Sequence, residues 1–401
     1  MARLTRPFRE SIRIELCGYG TGRRFYSTGE HLEGYVWIKT KDVIQPSMVE
    51  ILFRGQSRIE SDGVMLPVKT YRKKTFLELT QPIEDGAFST CQNLKTGYLY
   101  KIPFFFVIPT ELPISICRHG EDWEALQSHL LPPPSLGYAS TLKENHSKLE
   151  DLSTTRFGIG YSIQARLSKK TEEDKEPCQP GKSAELAIRI LPGVKERSRV
   201  NTFDDPPPYT KELQTSKTIC NHDTKGTLYV GALEPQPIHL NAVHHDEIKC
   251  STTVLEIALW FVSVNSEPPP LRSVSKKVVA HTTARICQSE EVAHSSVVQL
   301  GDLDFSSVRW KECPLTDYFA NISNEERSEV HTHTPKRLYR ASVVVPISLP
   351  TSKTFVPTFE SCLLSRSYVL GVTLLFGSIG KALKFPSVKL KVPLRIAGLG
   401  G

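Results

Sequence analysis

Apolar residues recur at every second position in short runs along most of this chain, and no other feature constrains the fold as strongly. Ile12, Ile14 and Leu16 alternate with Arg13 and Glu15; Val49, Ile51 and Phe53 keep the same period, as do Tyr161, Ile163, Ala165 and Leu167. Successive side chains of a strand point to opposite faces, so this pattern describes a sheet with one face in a core and the other in solvent. Leu186, Ile188 and Ile190 continue it until Pro192-Gly193 ends it, and it restarts at Leu228 and Val230. Val254 to Val264 forms a long apolar stretch suited to a buried or strongly twisted strand, and Glu267-Pro268-Pro269-Pro270 then turns the chain. Further strands are predicted over Val278 to Ile286, Ala341 to Ile347, Tyr368 to Leu374 and Val388 to Ile396. Pro393 in the last of these cannot donate a ladder hydrogen bond, which predicts an edge strand or a bulge. One short helix is predicted over Glu121 to Leu131, where Trp123, Leu126 and Leu130 share a face behind acidic residues.

Many short strands with little helix imply an all-β protein built from antiparallel sandwiches, with at least about two-thirds of its regular structure in strands. The alternation lapses over residues 194 to 214, which are polar, charged and rich in proline. That lapse predicts two tandem β-sandwich domains of similar size, 8 to 193 and 215 to 398, joined by a linker over 194 to 214. Within the linker stands Asp204-Asp205-Pro206-Pro207-Pro208-Tyr209. Consecutive prolines hold φ near the polyproline II value, so the segment is extended before a partner arrives and loses little entropy on binding. A WW domain grips two prolines between aromatic rings and seats the tyrosine in a second pocket. Pro206, Pro207 and Tyr209 are therefore the candidate binding residues, and Asp204 and Asp205 supply electrostatic steering.

Composition excludes several other classes. No apolar run approaches the ~20 residues that span a bilayer, and the N-terminal residues lack the apolar core of a secretory signal, which predicts a cytoplasmic chain. Nine cysteines without a C-x-x-C pair indicate neither a zinc knuckle nor a disulfide framework, and Asn145 and Asn321 then read as chance sequons. The net charge of +7 is spread along the chain, with short basic groups at Arg23-Arg24, Arg72-Lys73-Lys74 and Lys276-Lys277. That distribution argues against a nucleic-acid partner and leaves room for weak contact with an anionic membrane surface. No nucleophile elbow, phosphate loop or H-E-x-x-H motif is present. His331, His333, His244 and His245 lack a matched set of further ligands, so neither a metal nor a cofactor is expected.

Gly29-Glu30-His31-Leu32-Glu33-Gly34-Tyr35-Val36 and Val49-Glu50-Ile51-Leu52-Phe53-Arg54-Gly55 resemble the early strands of the fungal-type α-arrestins. Tyr100 to Pro109 followed by Leu112-Pro113, His129 to Gly137, and Tyr161-Ser162-Ile163-Gln164-Ala165 are similar to later N-domain motifs. Pro357-Thr358-Phe359-Glu360 and Ser365-Arg366-Ser367-Tyr368-Val369-Leu370 resemble the late C-domain strands. Residues 312 to 337 match no family element and read as a long loop. The resemblance implies an arrestin fold of two immunoglobulin-like sandwiches and a non-enzymatic adaptor. Such an adaptor recruits a WW-domain HECT ubiquitin ligase to cytoplasmic segments of membrane transporters or receptors at the plasma membrane or endosomes. The alternative is a ligase-independent arrestin-fold trafficking or signalling scaffold, and a metal-dependent or hydrolytic sandwich enzyme is a third class.

Overall fold

A computed structural model describes residues 12–17, 25–39, 49–62, 69–82, 94, 97–116, 123–137, 151–167, 182–193, 215–221, 224–244, 247–263, 267–285, 291–305, 308–314, 337–377 and 387–399. The protein is nearly all β, as the alternation predicts. In the N-terminal half the strands are β1 (Ile12–Leu16), β2 (His31–Lys39), β3 (Val49–Asp62), β4 (Lys69–Gln81), β5 (Leu99–Val107), β6 (Phe157–Leu167) and β7 (Ser183–Ile188). They form two antiparallel sheets, ordered β1-β2-β5 and β4-β3-β6-β7. Leu32, Val36 and Ile38 of β2 and Ile102, Phe104 and Phe106 of β5 point inward, and Ile51, Phe53, Tyr161 and Ile163 meet them from the other sheet. A ring contact joins the layers, Phe53 lying 5.9 Å from Phe106; within its own sheet Phe53 stacks on Tyr161 at 6.1 Å, and Phe76 meets Tyr161 edge-on at 5.4 Å. Such pairs contribute beyond their buried area, by about 0.5–1.5 kcal/mol each.

Gly34 shows why one position in the early motif has no side chain. A Cβ there would sit 2.6 Å from the Phe104 ring and against the Glu15 carbonyl, so the aromatic filling of the core requires glycine on the facing strand.

Helix α1 spans Trp123–His129, shorter than the predicted Glu121 to Leu131. Its last turn closes through Leu130 N–H to the Leu126 carbonyl and Leu131 N–H to that of Ser128, after which Pro132-Pro133-Pro134 cannot continue it.

The C-terminal half contains β8 (Thr215–Asn221), β9 (Thr224–Ala232), β10 (Ile238–His244), β11 (Glu247–Cys250), β12 (Thr253–Ser263), β13 (Leu271–Arg285) and β14 (Glu291–Asp304). These are followed by β15 (Lys311–Cys313), β16 (Arg337–Ile347), β17 (Phe359–Glu360), β18 (Leu364–Phe376), β19 (Ser387–Leu394) and β20 (Ile396–Leu399). One sheet runs β15-β16-β12-β9-β8 and its counterpart β14-β13-β18-β17, with β19 also on β18. A third, small sheet is ordered β11-β10-β20.

The apolar stretch after Val254 is central strand β12, held between β16 and β9, with its inner face fully buried and Val254 on the outer face half exposed. Among the described residues strand β19 pairs only with β18, with Pro393 opposite Val369, so the proline stands on an edge as expected. The chain then changes sheet at Arg395, and β20 runs parallel to β10. Glu312 and Cys313 belong to β15 and Arg337 opens β16, which corrects the loop reading at both ends of 312 to 337. Residues 315–336 lie outside the described residues.

Candidate functional site at the seam between the two halves

Asp204, Asp205, Pro206, Pro207 and Tyr209 all lie outside the described residues. The chain on both sides of them is anchored. Upstream, Ile190 and Leu191 are fully buried; Tyr26 bridges Ile190, Leu191 N–H donates to the Tyr26 carbonyl, and Gly193 N–H donates to Thr28 Oγ1. Downstream, β8 joins the C-terminal sheet beside β9.

The motifs quoted separately from the two halves meet in space. In the first half, His129 to Gly137 is a spine strung on hydrogen bonds. Tyr161 Oη donates to the Pro133 carbonyl at 2.6 Å, Ser135 Oγ accepts the Ile190 N–H at 2.9 Å, and Leu136 bridges Ile159. Gly137 N–H donates to Asp151 Oδ2 at 2.6 Å, while Asp151 Oδ1 accepts Ser153 N–H and Ser153 Oγ. The spine thus fixes His129 at one end and the backbone of residues 151 and 152 at the other. Strands β17 and β18 of the second half face these two points.

Glu360 of β17 brings its Oε1 within 3.7 Å of His129 Nε2, and the same oxygen lies 3.5 Å from Arg285 Nη2 of β13. Below them a pocket of about 10 Å³, the volume of roughly one water, is lined by Ser57, Lys74, Phe76, Leu112 and His129 on one side and Ser361, Cys362 and Leu363 on the other. Lys74 Nζ is tied to the Ile116 carbonyl at 3.2 Å.

Arg366 is the larger element of the seam. It is fully buried on β18, and its guanidinium donates to the carbonyls of Leu152 at 3.3 Å and Asp151 at 3.4 Å. Ser296 Oγ of β14 donates to the same Leu152 carbonyl at 3.2 Å. Leu152 has a φ of 59°, and among the described residues no other non-glycine residue adopts a positive φ. A left-handed leucine is costly by about 1–3 kcal/mol, and it persists where the surroundings over-determine it. Here two donors from the other half of the molecule converge on its carbonyl.

The seam is not fully satisfied. Arg366 Nε and Thr282 Oγ1, on residues opposite each other in β18 and β13, are buried without a hydrogen-bond partner among the described residues. Each such group costs roughly 1–3 kcal/mol. The seam therefore sets specific polar contacts against polar penalties. A third contact is close packing: a Cβ on Gly398 of β20 would collide with the Pro192 carbonyl.

The strongly shifted titratable groups are structural. Burial pushes the phenol of Tyr161 well above its ordinary range and that of Tyr368 up to about 12; Tyr368 Oη donates to the Val356 carbonyl at 2.8 Å. Burial likewise raises the Cys250 thiol to about 11. An open cleft of about 400 Å³ is lined by Cys17, Tyr26, Gly29, Glu30, His31 and Glu33. No group of three His, Cys, Asp or Glu side chains is placed to hold a metal ion among the described residues. His245, His331 and His333 lie outside them, as does the side chain of His244. Among the described residues no helix is long and apolar enough to cross a membrane.

The sequence reading did not single out Arg366, Leu152, Ser296 or Glu360 as site residues. The one signal available was an arginine at an inward position of an apolar strand, since Leu364, Tyr368 and Leu370 around it all point into the core.

Two nearly all-β halves, each with facing antiparallel sheets and meeting at a polar seam, define an arrestin-like β-sandwich architecture. Residues 271–399, about a third of the chain, match the family model of the Bul1 C terminus. The matched region runs from the start of β13 to the end of β20 and contains Arg285, Ser296, Glu360 and Arg366. No curated protein matches the chain.

Proposed function

We propose that this chain is an arrestin-like adaptor that recruits a WW-domain HECT ubiquitin ligase to membrane-protein cargo, promoting ubiquitination and endocytosis. The observation that carries the reading is the Pro206-Pro207-Pro208-Tyr209 peptide in a chain whose residues 271–399 resemble the Bul1 C terminus. Pro206, Pro207 and Tyr209 fill the WW groove, and Asp204 and Asp205 steer the encounter. Catalysis belongs to the ligase. The adaptor comprises an N-terminal sandwich over 8 to 193, a docking linker over 194 to 214 and a C-terminal sandwich over 215 to 398. It works in the cytoplasm and is drawn to the plasma membrane or endosomes by transporter or receptor segments.

Titration calorimetry of an isolated WW domain with a peptide spanning Thr202 to Lys211 tests this. Tyr209→Ala weakens binding by about thirtyfold, the scale of truncating an aromatic anchor by about 2 kcal/mol. Phosphorylation of Tyr209 weakens it too, because a doubly charged group meets a pocket shaped for a neutral ring beside Asp204 and Asp205. Equal affinity of the three peptides would leave the ligase-independent scaffold as the surviving reading.

A further inference from the structure

The outer face of the β1-β2-β5 sheet is ordered in cross-strand rows. Lys39 stands opposite Leu99; in the next row Arg13, Trp37 and Lys101 lie side by side, followed by Glu15, Tyr35 and Pro103. Beyond these come Glu33 with Phe105, and His31 with Val107. The face carries three cations around Trp37 at one end, with Glu15 in the adjacent row beside Trp37 and Glu33 farther along. At the basic end Tyr98 and Leu99 are 64% and 50% exposed. The rings there are held in place: Trp37 Nε1 donates to Glu15 Oε2 at 2.9 Å, and Lys101 Nζ sits 3.6 Å from the Tyr35 ring centre and 5.2 Å from that of Trp37.

We propose that the basic end of this face, formed by Arg13, Trp37, Lys39, Tyr98, Leu99 and Lys101, seats on an anionic lipid bilayer. Charge chooses the occupant. Three cations against the one neighbouring carboxylate of Glu15 leave this end of the face net positive, which a negatively charged surface complements. The apolar residues specify a bilayer over a soluble anion. Exposed leucine beside tryptophan and tyrosine, interleaved with lysine and arginine, is the composition of a surface that lies at the boundary between headgroups and acyl chains. Glu33 lies toward the other end of the face, so contact is made at the Tyr98–Leu99 corner. The proposal deepens the adaptor reading by giving it a membrane-facing surface, and it is independent of whether Tyr209 binds a WW domain.

Sedimentation of the full chain with vesicles tests it, using phosphatidylcholine alone against phosphatidylcholine carrying about 30% phosphatidylserine, in low and raised salt. The expected result is binding to the anionic vesicles only, weakened by salt. Lys39→Gln and Lys101→Gln each lower the partition about fivefold, and both together about twenty-five-fold. Leu99→Ser, which leaves the charge untouched, also weakens binding. Vesicle binding blue-shifts the tryptophan emission, and Trp37→Phe removes that shift. All four positions are on the outer face, and a thermal melt of each variant shows that it is folded. Equal binding to both vesicle types, no binding, or undiminished binding by the double lysine variant overturns the proposal. So does capture of polyglutamate through the same lysines without vesicle binding, which would reassign the face to an acidic protein segment. A positive WW titration alongside a negative vesicle result would leave the adaptor standing without this surface.

Discussion

Tyr161 and Tyr368 do the same work in the two halves: each ring fills a core, and each hydroxyl donates to a carbonyl of a proline-bearing stretch, Pro133 in one case and Val356, next to Pro357, in the other. Burial raises both phenols above their usual value, Tyr368 to about 12. A raised phenol favours the neutral folded form. This stability is complete below the unfolded value near pH 10 and is lost as pH rises through the folded value. For Tyr368 the loss is complete near pH 12 and amounts to up to about 3 kcal/mol. Denaturant midpoints measured from about pH 9 upward should therefore fall steeply above pH 10. Tyr368→Phe flattens that fall and costs about 1 kcal/mol at neutral pH for the lost hydrogen bond. An unchanged alkaline slope in this variant would assign the loss to Tyr161 and other groups. The aromatic character of both positions was legible in the alternation. Their carbonyl partners were not, because a hydrogen bond over 28 residues depends on where a loop returns.

At the scale of elements, the strands read correctly include those with one apolar and one polar face, such as β1 and β6, and the continuous apolar run of β12. Strand β14 escaped the reading. Along Glu291 to Asp304 only Val298 is buried, since the strand pairs on one side alone, so the residues carry little hydrophobic signal. Glycines within strands carry information of a different kind. Gly34→Val drives methyl groups into the Phe104 ring and the Glu15 carbonyl and is expected to cost at least about 1–3 kcal/mol, the usual range for overpacking. Gly160→Ala, where a Cβ meets nothing within 4 Å, should be neutral or slightly stabilising. Chemical denaturation of both variants checks the contrast, and equal costs would mean that the β2–β5 packing is looser than described.

For the whole molecule, magnitudes decide which seam contact matters. The Arg285–Glu360 pair is half exposed and contributes only about 0–1 kcal/mol. Arg366 is fully buried, and its two carbonyl acceptors belong to the other half of the chain. Arg366→Met fills the same space without charge and removes the unsatisfied Nε. The C-terminal half should thus keep its stability within about 1 kcal/mol, as buried ions replaced by apolar groups often do. What it loses is the tether to residues 151 and 152. In calorimetry the wild type should unfold in one transition and Arg366→Met in two. A single transition in both proteins would show that the Gly398–Pro192 contact and the remaining seam suffice for coupling.

The sequence by itself determined the all-β character, the strands with strong alternation and the confinement of Pro393 to an edge or a bulge. Each follows from side-chain direction or proline stereochemistry within a few residues. Tertiary structure alone decided which strands pair, that the chain changes sheet at Arg395, and that His129 and Glu360, or Leu152 and Arg366, face each other. Those contacts join residues more than two hundred positions apart. A buried arginine or a left-handed leucine is tolerated only where distant backbone supplies its partners, and no local pattern records where that backbone will lie.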